Sequence, residues 1–114
     1  MRHQMNLRSQ PFDKIRSGRK TFELRLYDKK RQRINVGDEI EFACADEKRE
    51  PFVVVVTGLH RFKNFKELYA SLPLLQCGYT EDNVDKASPD DMNLYYSVEV
   101  QATYSVVGIE IRLI

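Results

Sequence analysis

Apolar residues alternate with polar ones in several stretches of this chain and fall at helical spacing in three others. Met5 and Leu7 open a short strand. Ser9 then caps a helix with Pro11 in its first turn, Phe12 and Ile15 on its inner face, and Gly18 at its end. A strand over Lys20 to Tyr27 follows, and its middle alternates. Phe22, Leu24 and Leu26 point to one side, and Thr21, Glu23, Arg25 and Tyr27 to the other. Ile34 and Val36 lead through a Gly37-Asp38 turn into the alternating strand Glu39 to Phe42. Phe52 to Thr57 is β-branched on both faces, which predicts a strand buried on both sides, and His60 to Phe62 continue it past Gly58.

Phe65, Leu68, Tyr69 and Leu72 predict a second helix, capped by Asn64 and stopped by Pro73. Leu74 to Ala87 reads as a loop with one helical turn. Ser88-Pro89-Asp90-Asp91 has the form of a helix start, and Met92, Tyr95, Tyr96 and Glu99 share one side of the helix that follows. Val106 to Ile114 closes the chain as a strand. Strands outnumber helices, which predicts an α+β fold: a small twisted sheet or barrel with flanking helices.

The length of 114 residues fits one domain, 1–114, large enough for a core without disulfide or metal staples. An apolar fraction of 42% beside 31% charged residues excludes a disordered chain. No apolar run approaches the roughly 20 residues that span a bilayer, so no membrane partner is expected. Met1 to Asn6 lacks the apolar segment of a secretory signal. Cys44 and Cys77 have no ligand spacing, which predicts a reduced, cytoplasmic setting. His3 and His60 are isolated, so no metal is expected, and without a Gly-rich phosphate loop no cofactor is expected either.

The net charge of +1 conceals an asymmetry. Met1 to Arg33 holds eleven Lys and Arg against three acids, whereas Gln76 to Gln101 holds six acids against Lys86. The basic part invites an anionic partner, unless the two parts neutralise each other across the fold. Chemistry concentrates at Gly18 to Arg33. There Lys20, Glu23, Arg25 and Tyr27 follow a glycine and precede the basic run Lys29, Lys30, Arg31 and Arg33. A strand with cations and a carboxylate in register can hold a small polar or phosphorylated group. A solvated outer strand face has the same pattern.

Gly18-x-Lys20-x-x-Glu23-x-Arg25 resembles the G-x-K-x-x-E-x-R signature of ASCH domains, which are related to the PUA RNA-binding fold. The similarity extends through Arg31 to Phe42 and through Met92, Tyr95-Tyr96-Ser97 and Val106 to Ile111, so it covers nearly the whole chain. It implies a small prokaryotic-type ASCH protein with a PUA-like twisted β-barrel of about five to six strands and flanking helices. It also implies a cleft, lined by the motif's Lys, Glu and Arg, that receives RNA or a nucleotide.

Two chemistries fit that cleft. In the first it binds RNA or a modified nucleotide. Arg25 would offer a planar fork to phosphate or a base edge, Lys20 a point charge, and Glu23 an acceptor. Tyr27, Tyr95 or Tyr96 would stack on a base, and Lys29 to Arg33 would follow the backbone. In the second it is a hydrolase acting on RNA or a modified nucleoside. Some small members of the family remove the acetyl group of N4-acetylcytidine with the motif lysine, a threonine three residues later and a distant glutamate. Lys20 matches the lysine, but Glu23 stands at the threonine position, with Thr21 the nearest hydroxyl. Glu81, Asp90, Asp91 and Glu99 are candidates for the distant acid by location alone.

Overall fold

A computed structural model describes all residues, Met1–Ile114. It contains the strands β1 (Arg2–Leu7), β2 (Phe22–Leu26), β3 (Glu39–Cys44), β4 (Phe52–Phe62) and β5 (Val106–Leu113). The helices are α1 (Ser9–Arg16), α2 (Phe65–Ser71) and α3 (Val98–Tyr104), with short 3-10 turns between them. The strands form one sheet in the order β1-β3-β4-β5-β2, with β1 and β3 parallel and every other pair antiparallel. The expected α+β fold holds, as a five-stranded sheet curled into a PUA-like half-barrel with helices on its flanks.

Alternation sorts side chains onto the two sheet faces. On one, Met5, Phe42, Val54 and Ile109 pack with Phe12 and Ile15 of α1. On the other, Phe22, Leu24 and Leu26 of β2 meet Phe65 and Leu68 of α2 and Met92. Strand β4 changes alternation midway: Phe52, Val54 and Val56 are core residues, and beyond an irregularity between Val56 and Gly58 it is Leu59 that packs against them. That extra residue gives the local bend a curling sheet needs. Val53 and Val55 are half-exposed, so β4 is buried on one face rather than the two expected from its β-branched run.

The last helical stretch also differs from the sequence expectation. A 3-10 segment over Pro89–Leu94 ends at Tyr95, and α3 restarts from a new cap, the Ser97 hydroxyl accepting from the Val100 N–H. Met92, Tyr96 and Glu99 therefore do not share one helix face. Two serine caps within ten residues and the β-branched Val98, Val100 and Thr103 disfavour one continuous helix. The Leu74–Ala87 loop holds two 3-10 turns, Leu74–Cys77 and Val84–Lys86.

Helix α2 lies close on β5 because Gly108 has no side chain: a Cβ there would sit 2.5 Å from Leu72 Cδ1. Gly108→Val should push α2 outward and lower the unfolding free energy by roughly 1–3 kcal/mol, read by urea denaturation. An unchanged denaturation midpoint would show that α2 yields freely.

Candidate functional site

The end of α1 sets the start of the site. Both the Arg19 and Lys20 amides donate to the Lys14 carbonyl, at 3.1 and 3.0 Å, so the chain turns tightly around the helix end and delivers Lys20 beside β2. In β2, Glu23 and Arg25 pair across the ladder with Ile109 and Val107, and so share the face that carries α1. The polar side of the alternating strand points inward. Glu23 is only 4% exposed.

Two cations compensate that burial. Lys20 Nζ lies 2.9 Å from Glu23 Oε1, and Arg25 Nε donates to Oε2 at 2.7 Å. Burial by itself would raise the Glu23 carboxyl, but the charges and hydrogen bonds of Lys20 and Arg25 outweigh it and hold the group at about 2. For Arg25 the order is the same: burial works against the charged form, Glu23 overcomes it, and the guanidinium stays above its ordinary range. Arg25 also donates from Nη2 to the Asn6 carbonyl at 2.9 Å. This bond ties β2, one edge of the sheet, to β1, the other.

Lys20, Glu23 and Arg25 lie in a cleft of about 790 Å³ between β1, β2 and the segment before α3. Its size is in the range of small-molecule and nucleotide pockets. Arg8 and Lys14 add positive charge along one wall, and Leu94, Tyr95 and Tyr96 form another. Tyr95 is 65% exposed and Leu94 85%, unusual solvent access for such side chains. Tyr96 lies parallel to Phe65, at a ring-centroid distance of 6.3 Å.

A chain of hydroxyl groups closes the far end. Tyr79 donates to Asp91 Oδ2 at 2.6 Å, which makes Tyr69 the donor in its 2.8 Å contact with the Tyr79 oxygen. Burial, Asp91 and Tyr69 all push the Tyr79 phenol far above its ordinary value, so it is a fixed proton donor. Asp91 Oδ2 also accepts from the Ser88 amide at 3.2 Å, so the capping box and the cleft wall share one carboxylate. Cys77 lines the cleft, but burial lifts its thiol to about 11 against the opposing charge of Lys20, which leaves it protonated at neutral pH. Gly78 follows at φ +116, a conformation that favours glycine; its carbonyl accepts from Lys14 Nζ at 2.7 Å, and the Lys20 chain passes over its open side.

The other candidates divide. Gly18 is exposed at the α1 turn and does not line the cleft. Thr21 is turned away: its hydroxyl donates to Gln76 Oε1 at 3.2 Å, and it too is absent from the cleft walls. Tyr27 lies outside the cleft under the Arg61 guanidinium, 4.6 Å from its ring centroid. Lys29, Lys30 and Arg33 are exposed, whereas Arg31 is drawn in against Asp28 at 3.2 Å. Of the four distant acids only Asp91 lines the cleft; Glu81, Asp90 and Glu99 are exposed elsewhere. Tyr69, Tyr79, Lys14 and Arg8 were not expected from sequence. Tyr69 fits the core side of an amphipathic helix, and only the fold brings the other three to one cavity. No group of three or more His, Cys, Asp or Glu side chains could hold a metal ion.

Glu23→Gln should be severe, because it leaves two partly buried cations facing each other; a loss of roughly 3–5 kcal/mol in unfolding free energy is expected, read by chemical denaturation. Because the folded Glu23 carboxyl lies below its ordinary 4.5, its contribution is complete above that pH and lost as pH falls through about 2. The Glu23→Gln variant should therefore show a flatter acid-stability profile than the native chain below pH 4.5. Parallel profiles would contradict the assigned ion pairs.

The ASCH domain family matches residues 5–114. Among solved structures, the hypothetical protein PH0355 superposes with a TM-score of 0.81 at 29% identity, each chain covered completely. Protein PF0455 from Pyrococcus furiosus gives 0.75 at 26% identity, over 100% of this chain and 98% of that one. ASCH from Zymomonas mobilis gives 0.66 over 97% of this chain and 66% of its own, at 14% identity, a likeness of fold alone. None of the curated proteins compared with the chain matches it. With the family's match running from the first strand to the C-terminal residue, this chain belongs to the ASCH domain family.

Proposed function

We propose that the cleft binds RNA or a nucleotide, with the Lys20–Glu23–Arg25 row reading a polar edge of the ligand. The observation that carries this reading is the row itself: a buried carboxylate held ionised between two cations at the floor of an open cleft. Such a row offers an acceptor beside donors, the pattern needed by a base edge or a ribose hydroxyl. Tyr95, exposed on the cleft wall, presents a ring on which an unpaired base can stack, with Tyr96 next to it. Lys29, Lys30 and Arg33 stay in solvent without ion-pair partners, as groups that neutralise a backbone must.

The alternative is a hydrolase acting on a modified nucleoside or RNA. Its support is Lys20, whose amine sits 2.9 Å from a carboxylate in the same cleft. Against the threonine-dependent form stands the Thr21 hydroxyl, which is engaged by Gln76.

Binding of a labelled single-stranded oligoribonucleotide, followed by fluorescence anisotropy across a salt series, tests the first reading. The expected result is salt-dependent binding. A Lys29→Gln/Arg33→Gln double variant should lower the slope of log K against log salt by roughly 0.7 for each phosphate that is no longer neutralised. An unchanged slope would remove these residues from the interface. Incubation with N4-acetylcytidine tests the alternative: conversion to cytidine that disappears in Lys20→Ala would establish the hydrolase, and no conversion would exclude that substrate.

A further inference from the structure

The loop after β2 gathers more positive charge than it neutralises. Asp28 folds that loop, its Oδ1 accepting from the Arg31 amide at 3.1 Å and its Oδ2 from Arg31 Nη1 at 3.2 Å. This draws the Arg31 side chain in from solvent to 13% exposure. The arrangement leaves one donor without a partner: Arg31 Nε is buried and bonds to nothing, and it is the only buried side-chain polar atom in the molecule in that condition. A fork-shaped cation so placed is a pre-positioned donor lacking its acceptor.

Its surroundings point to what the acceptor is. Tyr96 lines the cleft together with Arg25, and its hydroxyl, which makes no hydrogen bond within the chain, feels the charges of Arg25 and Arg31. Lys30 is exposed, and after partial desolvation the largest influences on its ammonium are the repulsions of Arg31 and Arg25, which hold it below its ordinary value. The acids that face this group are Asp28 and Glu23. Asp28 is committed to Arg31, and Glu23 is shared between Arg25 and Lys20. Lys20, Arg25, Lys30 and Arg31 therefore stand against two carboxylates, Glu23 and Asp28. Arg25 uses Nε and Nη2 within the protein, which leaves Nη1 free for an outside acceptor.

We propose that Arg31, Arg25, Lys30 and the Tyr96 hydroxyl form a subsite for one phosphate group, at the edge of the cleft where Arg25 and Tyr96 reach it. The inference rests on the nucleotide reading of the cleft and deepens it: the ligand is a phosphorylated one, a mononucleotide or one link of an RNA strand, rather than a free nucleoside. A tetrahedral dianion or diester can take donors from two forks and a phenol at once. Lys29 and Arg33, the exposed members of the same basic run, take no part in the subsite.

Calorimetric titration of the full chain with the four ribonucleosides, their 5′- and 3′-monophosphates and a single-stranded octauridylate tests this. For at least one base the monophosphate, or the octamer alone if the phosphate belongs to a strand, should bind roughly ten-fold tighter than the nucleoside. Arg31→Gln should remove most of that advantage and leave nucleoside affinity unchanged. Lys30→Gln, at an exposed position, should remove a smaller part, and it serves if Arg31→Gln does not fold. Equal affinity for all three ligand classes, or an advantage that survives both substitutions, overturns the subsite but leaves the cleft as a reader of base or sugar. No binding by any of them overturns the reading of the cleft and the subsite with it.

Discussion

A carboxylate almost without access to water, clamped between an ammonium and a guanidinium, is the interaction on which the rest of the molecule depends. Glu23 sits on the inner face of the sheet, where its ladder partner Ile109 belongs to the apolar core. An isolated charge there would be costly, so the position is tenable only while Lys20 and Arg25 hold their places. Each of those is itself fixed by backbone. The end of α1 sets Lys20, and the Asn6 carbonyl sets Arg25. The motif is therefore a structural clamp as well as the row proposed to meet the ligand.

The clamp also explains where the opening lies. A sheet with two free edges normally leaves both to solvent. Here the order β1-β3-β4-β5-β2 curls until the edges approach, and the Arg25 bond to Asn6 spans the gap in place of a backbone ladder. Side chains rather than a strand occupy the seam, so the seam is polar and accessible. Helix α1 forms one wall, and the loop through Tyr79 and Tyr95 forms the other. The Tyr69–Tyr79–Asp91 chain holds that second wall to α2 through hydroxyl groups, an arrangement that stays rigid while every donor is satisfied.

Much of this was legible in the sequence. Period-two runs located four of the strands and the β-branched run located β4, Asn64 caps its helix as expected, and Lys20, Glu23 and Arg25 read as one polar face. What the sequence could not convey is direction. Alternation separates two faces of β2 but does not tell which one the sheet curls around, and here both are buried for most of their length. The break at Ser97 escaped because the spacing of Met92, Tyr95, Tyr96 and Glu99 is compatible with a helix, and only competition between two local caps ends it. Arg31 reads as one more residue of a solvated basic run. Its capture by Asp28 is a loop geometry that composition does not encode. Tyr79 lay in the least patterned stretch of the chain, and its role depends on partners ten and twelve residues away.

The central claim is that recognition happens at the seam between the two sheet edges. Its most direct test is a titration of ¹⁵N-labelled protein with a single-stranded oligoribonucleotide, mapped residue by residue from amide shifts. The account predicts changes confined to Lys20 to Arg25, the Lys29 to Arg33 loop and the Tyr79 and Tyr95–Tyr96 walls. Shifts concentrated on the outer side of α2 and the far end of β4, with the seam silent, would contradict it.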